Sequence, residues 1–119
     1  MSGSDEKNEG KKYDNGKPDL TDIPLEAMWA MGQALTYGQK KYGKSNFRNG
    51  MAASRQISAA LRHIYQHLSG ETFDPESGVR HLGHALASLA MVCYTIENYP
   101  EHDDRFEKDL AKFEQEKKA

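Results

Sequence analysis

Residues 62–84 read R-H-I-Y-Q-H-L-S-G-E-T-F-D-P-E-S-G-V-R-H-L-G-H, and this stretch decides the fold. One helical pattern ends in it at Ser69-Gly70, where a glycine can serve as the C-cap. A second pattern begins at Asp74-Pro75, where aspartate can cap a helix whose first residue is proline. The stretch therefore predicts two helices, called B and C, joined by a short acidic loop.

The rest of the chain continues the helical pattern on both sides of this loop. Helix A is predicted from Pro24 to about residue 40, helix B over 52–68 and helix C from Asp74 to about Asn98. A short charged helix D is predicted over about 105–117, with Asp103 or Asp104 as its cap. No period-two alternation typical of strands is present. We expect an all-α fold, a small bundle of three to four helices.

Apolar residues at three- and four-residue spacing predict which helix faces form the core. The helix A set is Leu25, Met28, Trp29, Gly32 and Leu35. The helix B set is Ile57, Leu61, Ile64 and Leu68. The helix C set is Val79, Leu82, Leu86, Leu89 and Cys93.

The length of 119 residues predicts one domain. Residues 1–12 have nothing to bury and are predicted to form a flexible, disordered arm, which leaves 13–119 as a single all-α domain with a charged C-terminal helix at 103–119. Only 37% of the residues are hydrophobic, against a usual ~45–50%. A thin core with residual apolar faces at Met28, Trp29 and Met91 predicts a homo-oligomer, a dimer or larger.

The charge balance and the single cysteine indicate the compartment and exclude some partners. A net charge of −2 gives no reason to expect stable binding to nucleic acid or to an anionic membrane. Cys93 lies in an apolar run and is predicted to be a small core residue in a reducing compartment. The longest apolar run, residues 85–96, is shorter than a membrane span. We expect a soluble protein of the cytoplasm, which would be the host cytoplasm if the gene belongs to a phage.

The acidic loop is the first candidate site. Glu71, Asp74 and Glu76 fall within six residues, and such close carboxylates repel one another unless a cation or hydrogen-bond donors hold them. Mg²⁺ prefers oxygen ligands, whereas Mn²⁺ and Zn²⁺ also accept imidazole. We therefore assign a divalent metal to these three carboxylates. The alternative is a polar interhelical loop with ordinary surface histidines.

Four histidines flank the loop. We assign His63, His81 and His84 to phosphate contact, proton transfer or a softer metal ion, with His81 and His84 as catalytic candidates. His67 is interpreted as a surface residue. Arg55 and Arg62 share one face of helix B beside His63. We expect nucleotide phosphates between helices B and C, near these arginines.

Residues 40–48 place cations beside aromatic side chains. Lys40, Lys41 and Arg48 could hold phosphates, while Tyr42 or Phe47 could stack on a base. A solvated surface loop is the alternative for this segment. It is not a P-loop, because the G-x-x-x-x-G-K-[ST] pattern and a preceding strand are both missing from the sequence.

Together these pieces resemble a known family over about residues 12–105. The matching blocks include Y-D-N-G-K-P at 13–18, I-P-L-E-A at 23–27, K-Y-G at 41–43, N-F-R-N-G at 46–50, A-A-L-R-H at 59–63, and D-P-E-S-G at 74–78 followed by His81 and His84. The sequence is similar to the phage-associated dATP/dGTP diphosphohydrolases of the MazZ type. These enzymes are related to the all-α MazG-like nucleotide pyrophosphohydrolases.

The resemblance implies metal-dependent hydrolysis of dATP or dGTP to the monophosphate and pyrophosphate, with Mg²⁺ or Mn²⁺ as cofactor. It implies catalytic roles for Glu71 and Glu76, phosphate contacts from Lys17, Lys40, Lys41, Arg55 and Arg62, and contact of Asn46 with the base edge. MazG-like enzymes generally carry E-x-x-E and E-x-x-D on successive helices. Glu71 and Asp74 have the second spacing, and Glu26 is the acid that helix A offers as a ligand.

Two other functions fit the same residues. A phage protein of this fold could bind or sequester a nucleotide or a cyclic nucleotide signal without cleaving it. A helical oligomer without a ligand is the third interpretation.

Overall fold

The computed structural model of the protein describes residues 15–44 and 51–109. Within these ranges three α-helices follow one another: α1 at Leu25–Tyr42, α2 at Ala53–Leu68 and α3 at His81–Asn98. Short 3₁₀ turns lie at Leu20–Asp22 and Pro100–His102. No strand occurs within these two ranges, which contain a single isolated bridge between Phe73 and Arg80. The prediction of a small all-α bundle is confirmed.

Helix ends mostly fall where the local chemistry predicts. Pro24 caps α1, which continues two residues beyond the predicted end before Gly43 adopts a φ of 96°. Gly70 follows α2 with a φ of 108°, a conformation that only glycine adopts readily. Helix α3 ends at Asn98, just before Tyr99-Pro100.

The predicted beginning of helix C at Asp74 is wrong. The backbone amide of Asp74 donates to the Val79 carbonyl at 2.8 Å, and the amide of His81 donates to the Thr72 carbonyl at 2.9 Å. These bonds pull residues 72–81 into a closed loop, and Gly78 at a φ of 72° ends the single turn that Asp74-Pro75 starts. Helix α3 begins only after this loop, at His81.

Helix α3 is the centre of the bundle, since it packs against both α1 and α2. The contacts use small side chains: the buried apolar residues are Ala30, Ala34, Ala53, Ala60, Ala85, Ala87 and Val92. Gly83 lies so close to α1 that a Cβ built on it would be 2.5 Å from the Ala30 carbonyl oxygen. Small residues at the contact let the helix backbones approach each other.

The predicted core face of helix C is therefore wrong. Leu82, Leu86 and Leu89 are 37–42% exposed, and Cys93 is also exposed rather than a core residue. The helix turns the small residues Gly83, Ala85, Ala87 and Ser88 toward its neighbours and presents this apolar stripe outward. Val79 precedes the helix and is half-buried.

The predicted core faces of the other two helices are also largely exposed. Leu25, Met28 and Trp29 on α1 are exposed, as are Leu61 and Leu68 on α2. Leu35, Ile57 and Ile64 are half-buried, as expected for the edge of a core.

The segment after α3 returns to the start of α2. Ser54 donates its backbone N–H to Asp104 Oδ1 at 3.0 Å, and its hydroxyl donates to Asp104 Oδ2. Asp103 accepts two hydrogen bonds from Arg105. Residues 103–109 are not helical, so this part of the predicted helix D is wrong; the rest of it, and the predicted arm at 1–12, lie outside the described residues.

Among the described residues, no helix is both long enough and apolar enough to cross a membrane.

Candidate functional site

A groove of about 770 Å³ runs between α1 and α2 over the surface of α3. Its lining combines apolar residues with half of the Lys, Arg, Asp and Glu side chains that the sequence singles out. The polar part of the lining includes Lys41, Arg55, Arg62, His63, Asp74, Glu76 and His84. The groove can therefore accept a ligand that is partly apolar and partly anionic.

Three imidazoles meet beside the groove. His63 Nδ1 and His81 Nδ1 are 2.9 Å apart. The ring of His63 stacks on that of His84 with centroids 4.6 Å apart. His63 comes from the middle of α2, and the other two come from the first turn of α3, because the closed loop at 72–81 brings the start of α3 alongside α2.

Two carboxylates of the loop lie beside the imidazoles of His81 and His84. Glu71 Oε1 lies 2.7 Å from Nε2 of His81, whose side chain is almost fully buried. Asp74 Oδ2 lies 3.7 Å from His84 Nε2, and Ser77 Oγ is 2.7 Å from the same nitrogen. Each histidine of α3 thus has a fixed orientation set by a loop residue.

One group of three among the described residues has the geometry of a metal site. His63, Asp74 and His81 each offer a ligand atom, and these atoms lie within 4.8 Å of one another. Two imidazole nitrogens and a carboxylate oxygen are a donor set suited to a divalent cation. Burial lowers the pKa of His63, and the neighbouring His84 and His81 lower it further. A neutral imidazole is the form that binds metal.

The third carboxylate of the predicted acidic site points elsewhere. Glu76 Oε2 accepts hydrogen bonds from Lys41 Nζ, at 2.7 Å, and from the Tyr37 hydroxyl. The hydrogen bond from Lys41 is the main cause that lowers the pKa of Glu76, and the hydrogen bond from Tyr37 lowers it further. The bond between Lys41 and Glu76 also raises the pKa of Lys41. Glu76 therefore ties the loop to α1, and of the three acids only Asp74 joins the ligand group. Metal ligation by Glu71 and Glu76 remains a prediction.

The other predicted residues divide by position. Five of the substrate-binding candidates line the groove: Lys41, Tyr42, Arg55, Arg62 and His63. Lys40 instead lines a separate, shallower hollow of about 520 Å³ beside Trp29. Lys17 and Glu26 are exposed and line neither depression. Asn46, Phe47 and Arg48 lie outside the described residues.

Two groove residues were missed by the sequence reasoning. Tyr37 binds Glu76 at the groove wall, and Gln56 is buried there and accepts a hydrogen bond from Thr95. Tyr37 stands four residues before Lys41, so their shared face of α1 was a usable signal. A buried glutamine in the first turn of an amphipathic helix has no comparable signature.

Comparison with known proteins identifies the family. The chain matches the family described as dATP/dGTP diphosphohydrolase, N-terminal, over residues 7–105. The chain belongs to this family. The resemblance seen in the sequence is thereby confirmed.

A curated relative extends the comparison. The protein named dATP/dGTP diphosphohydrolase of Salmonella phage PMBT28 is 31% identical over 96 residues, covering 81% of this chain and 33% of the relative. The chain thus spans about a third of the length of the relative it matches. No solved structure matches it significantly.

Proposed function

We propose that the protein hydrolyses the purine deoxynucleoside triphosphates dATP and dGTP to the monophosphate and pyrophosphate, using a divalent metal ion. The observation that carries the proposal is the groove, in which Lys41, Arg55 and Arg62 share one lining with His63 and Asp74. Membership of the dATP/dGTP diphosphohydrolase N-terminal family supports it. So does the name of the Salmonella phage relative.

Charge balance accounts for the composition of the groove. A triphosphate brought beside Asp74 in a partly desolvated cleft would be repelled unless cations intervene. The guanidinium groups of Arg55 and Arg62 match phosphate oxygens in charge and in hydrogen-bond geometry. His63, Asp74 and His81 would hold the divalent ion. When bound, that ion supplies charge neutralisation and activation of water.

His84 is suited to accept a proton from the attacking water. Burial lowers the pKa of its imidazole, while Asp74 acts in the opposite direction. A histidine that is neutral near pH 7 has a free lone pair, as a general base requires. Ser77 Oγ lies 2.7 Å from His84 Nε2 and fixes the ring; when Nε2–H donates to this oxygen, the free lone pair of the neutral imidazole is on Nδ1.

Tyr42 is suited to contact the base. It is the last residue of α1, lines the groove and is 61% exposed. A ring in that position can stack on a purine while Arg55 and Arg62 hold the phosphates. Contact of Asn46 and Phe47 with the base remains a prediction from the sequence.

A second function is favoured by one observation. Glu76 is engaged by Lys41 and Tyr37, which leaves the site fewer free carboxylates than a two-metal mechanism uses. A protein that binds and sequesters the nucleotide without cleaving it would need no more than the present groove.

Product analysis decides between the two. The chelator-treated protein is incubated with each deoxynucleoside triphosphate and Mg²⁺ or Mn²⁺, and the products are separated by ion exchange. Monophosphate and pyrophosphate from dATP and dGTP, lost in Asp74→Asn and kept in the remote Asp22→Asn, are the expected result. Retention of intact nucleotide would support sequestration, and neither turnover nor binding would overturn both.

A further inference from the structure

The cluster beside the groove contains two imidazole nitrogens directed at one point. His63 Nδ1 and His81 Nδ1 are 2.9 Å apart. Two nitrogens that share a metal ion such as zinc lie roughly 3.0–3.4 Å apart, since each is about 2.0–2.1 Å from the ion. Opening the pair by a few tenths of an ångström would therefore suffice to admit an ion.

Glu71 determines which nitrogen of His81 is free for this role. Its carboxylate lies 2.7 Å from His81 Nε2. A carboxylate accepts hydrogen bonds and donates none, so Nε2 carries the proton and Nδ1 presents its lone pair to His63. A carboxylate on the far nitrogen of a ligating imidazole is the usual arrangement behind a metal-bound histidine, where it fixes the ring and raises its basicity.

We infer that His63 Nδ1, His81 Nδ1 and a carboxylate oxygen of Asp74 form a binding site for a first-row transition ion, such as Mn²⁺, Co²⁺ or Zn²⁺, and that this site discriminates against Mg²⁺. Mg²⁺ requires oxygen ligands, usually carboxylates and waters, and the cluster offers one carboxylate against two nitrogens. Glu71 is a positioning residue for His81. The inference rests on the proposed function for its place in catalysis but concerns the metal alone.

The alternative explanation of the cluster is a structural hydrogen bond between two imidazoles. That bond requires a proton on one of the two Nδ1 atoms, whereas metal binding requires both to be free.

His67 provides the matched control. It lies one turn from His63 on α2, outside the groove lining and outside the ligand group.

Metal titration without nucleotide tests the inference. The untagged full chain, freed of metal with a chelator, is titrated by calorimetry with Mn²⁺, Co²⁺, Zn²⁺ and Mg²⁺ separately. Co²⁺ binding is also followed by its visible absorption. We expect one site per chain that binds Co²⁺ and Zn²⁺ at least 100-fold more tightly than Mg²⁺. Mn²⁺ should bind more weakly than Co²⁺ and Zn²⁺, following the general order of affinities.

Variants assign the ligands. His63→Ala, His81→Ala and Asp74→Asn should each abolish the Co²⁺ absorption, and His67→Ala should preserve it. Because His81 is buried, circular dichroism must show that its variant keeps the helices; the half-buried His63 gives the independent variant. Glu71→Gln should weaken Co²⁺ binding about 10- to 100-fold. Without metal, the Glu71→Gln variant should unfold at the same midpoint as the wild type. If Glu71 had only a structural role, the midpoint of the variant would fall.

The failures are distinguishable. The inference is overturned if Mg²⁺ binds as tightly as Co²⁺ and Zn²⁺ or more tightly. It is also overturned if His63→Ala and His81→Ala bind Co²⁺ like the wild type. In either case the proposed hydrolysis still stands if Mg²⁺ supports turnover. A loss of Co²⁺ binding in His67→Ala equal to that in His63→Ala also overturns it. Selective Co²⁺ binding with no turnover of any triphosphate upholds the metal site and overturns the proposed hydrolysis.

Discussion

Arg62 and Arg80 directly precede His63 and His81 in the sequence, but only Arg62 lines the groove. Its Nη1 donates to Ser58 Oγ at 3.0 Å, which orients the guanidinium along α2. Arg62→Ala should weaken binding of a non-hydrolysable triphosphate by about 1.5–3 kcal/mol, the range for a hydrogen bond to a charged group. The loss should be the same for adenine and guanine analogues, because the contact is to phosphate. Calorimetric titration measures it.

Arg80→Ala is the matched control, since that guanidinium lies over the Phe73 ring, 4.9 Å from its centroid. It should leave nucleotide binding unchanged. A loss confined to one purine in Arg62→Ala would show that Arg62 contacts the base, and the placement of the phosphates would be wrong.

Asp103 predicts a pH dependence of stability. Its almost fully buried carboxylate accepts hydrogen bonds from Arg105 Nε at 2.9 Å and Nη2 at 2.7 Å, which lower its pKa below the ordinary 3.8. A lowered pKa in the folded state contributes stability above the ordinary value, and that contribution disappears as the pH falls through the lowered value. The difference in free energy of unfolding between wild type and Asp103→Asn should therefore be constant above about pH 5 and shrink below 3.8.

Thermal unfolding followed by circular dichroism between pH 2 and pH 7 measures this difference. Asp22→Asn, at an exposed carboxylate near the start of α1, serves as the control for acid effects unrelated to the ion pair. A difference that grows as the pH falls would contradict the assignment.

At this scale the sequence predicts which residue types gather but not how they pair. The sequence shows that His63, His81 and His84 lie on either side of a short loop, and in the structure their rings are in contact. It could not show that Glu76 would be drawn to Lys41 and Tyr37 on α1, because that contact joins residues 35 and 39 positions apart. Pairing across such distances depends on how the helices pack.

Among the helices, the approach of α1 to α3 gives the sharpest test. Gly83→Ala would place a Cβ 2.5 Å from the Ala30 carbonyl oxygen. The backbone must shift to relieve this overlap, so the free energy of unfolding should fall by about 1–3 kcal/mol. Urea unfolding measures the change.

Gly32→Ala is the matched control on the facing helix. A Cβ at this position would meet nothing within 4 Å, and alanine favours a helix over glycine by up to about 1 kcal/mol. The two variants should therefore change stability in opposite directions. A neutral Gly83→Ala would mean that the two helices are farther apart than described.

Helix boundaries were predictable where one residue decides them. Pro24, Gly70 and Pro100 each act locally, and the helix ends follow them closely. The start of α3 was not predictable in this way. Asp74-Pro75 favours a helical turn, but whether the turn continues depends on the hydrogen bonds that Asp74 makes with Val79 and that His81 makes with Thr72. A capping signal predicts that a turn begins and says nothing of how many turns follow.

For the molecule as a whole, the outward apolar stripe of α3 predicts self-association. Leu82, Leu86, Leu89 and Cys93 recur at intervals of four, three and four residues, the spacing of a helix–helix seam, and all are exposed. We expect light scattering at micromolar concentration to give at least twice the chain mass of 13.4 kDa. Leu86→Glu should reduce the measured mass to the mass of one chain, because the glutamate charge would be buried in the contact between the two helices.

Leu20→Glu is the control, as Leu20 is 71% exposed on the turn before α1 and away from the stripe. It should leave the mass unchanged. A monomeric wild type would contradict the expected oligomer.

The all-α class follows from periodicity alone, but the identity of the core does not. Hydrophobic spacing selected the leucines of α3 because they are large apolar residues at three- and four-residue intervals. The structure buries Ala85, Ala87 and Ser88 instead, since close helix contacts need small side chains. A single chain's sequence cannot distinguish an apolar stripe that faces its own core from one that faces another copy.

The central position of α3 also has a consequence for the order in which the chain folds. Helices α1 and α2 pack on α3, which follows both of them in the sequence. Isolated helices of this length are only marginally stable in water. During synthesis from the N-terminus, both helices are therefore made before the surface that stabilises them exists. The groove, with its histidines and basic side chains, forms only when α3 is complete.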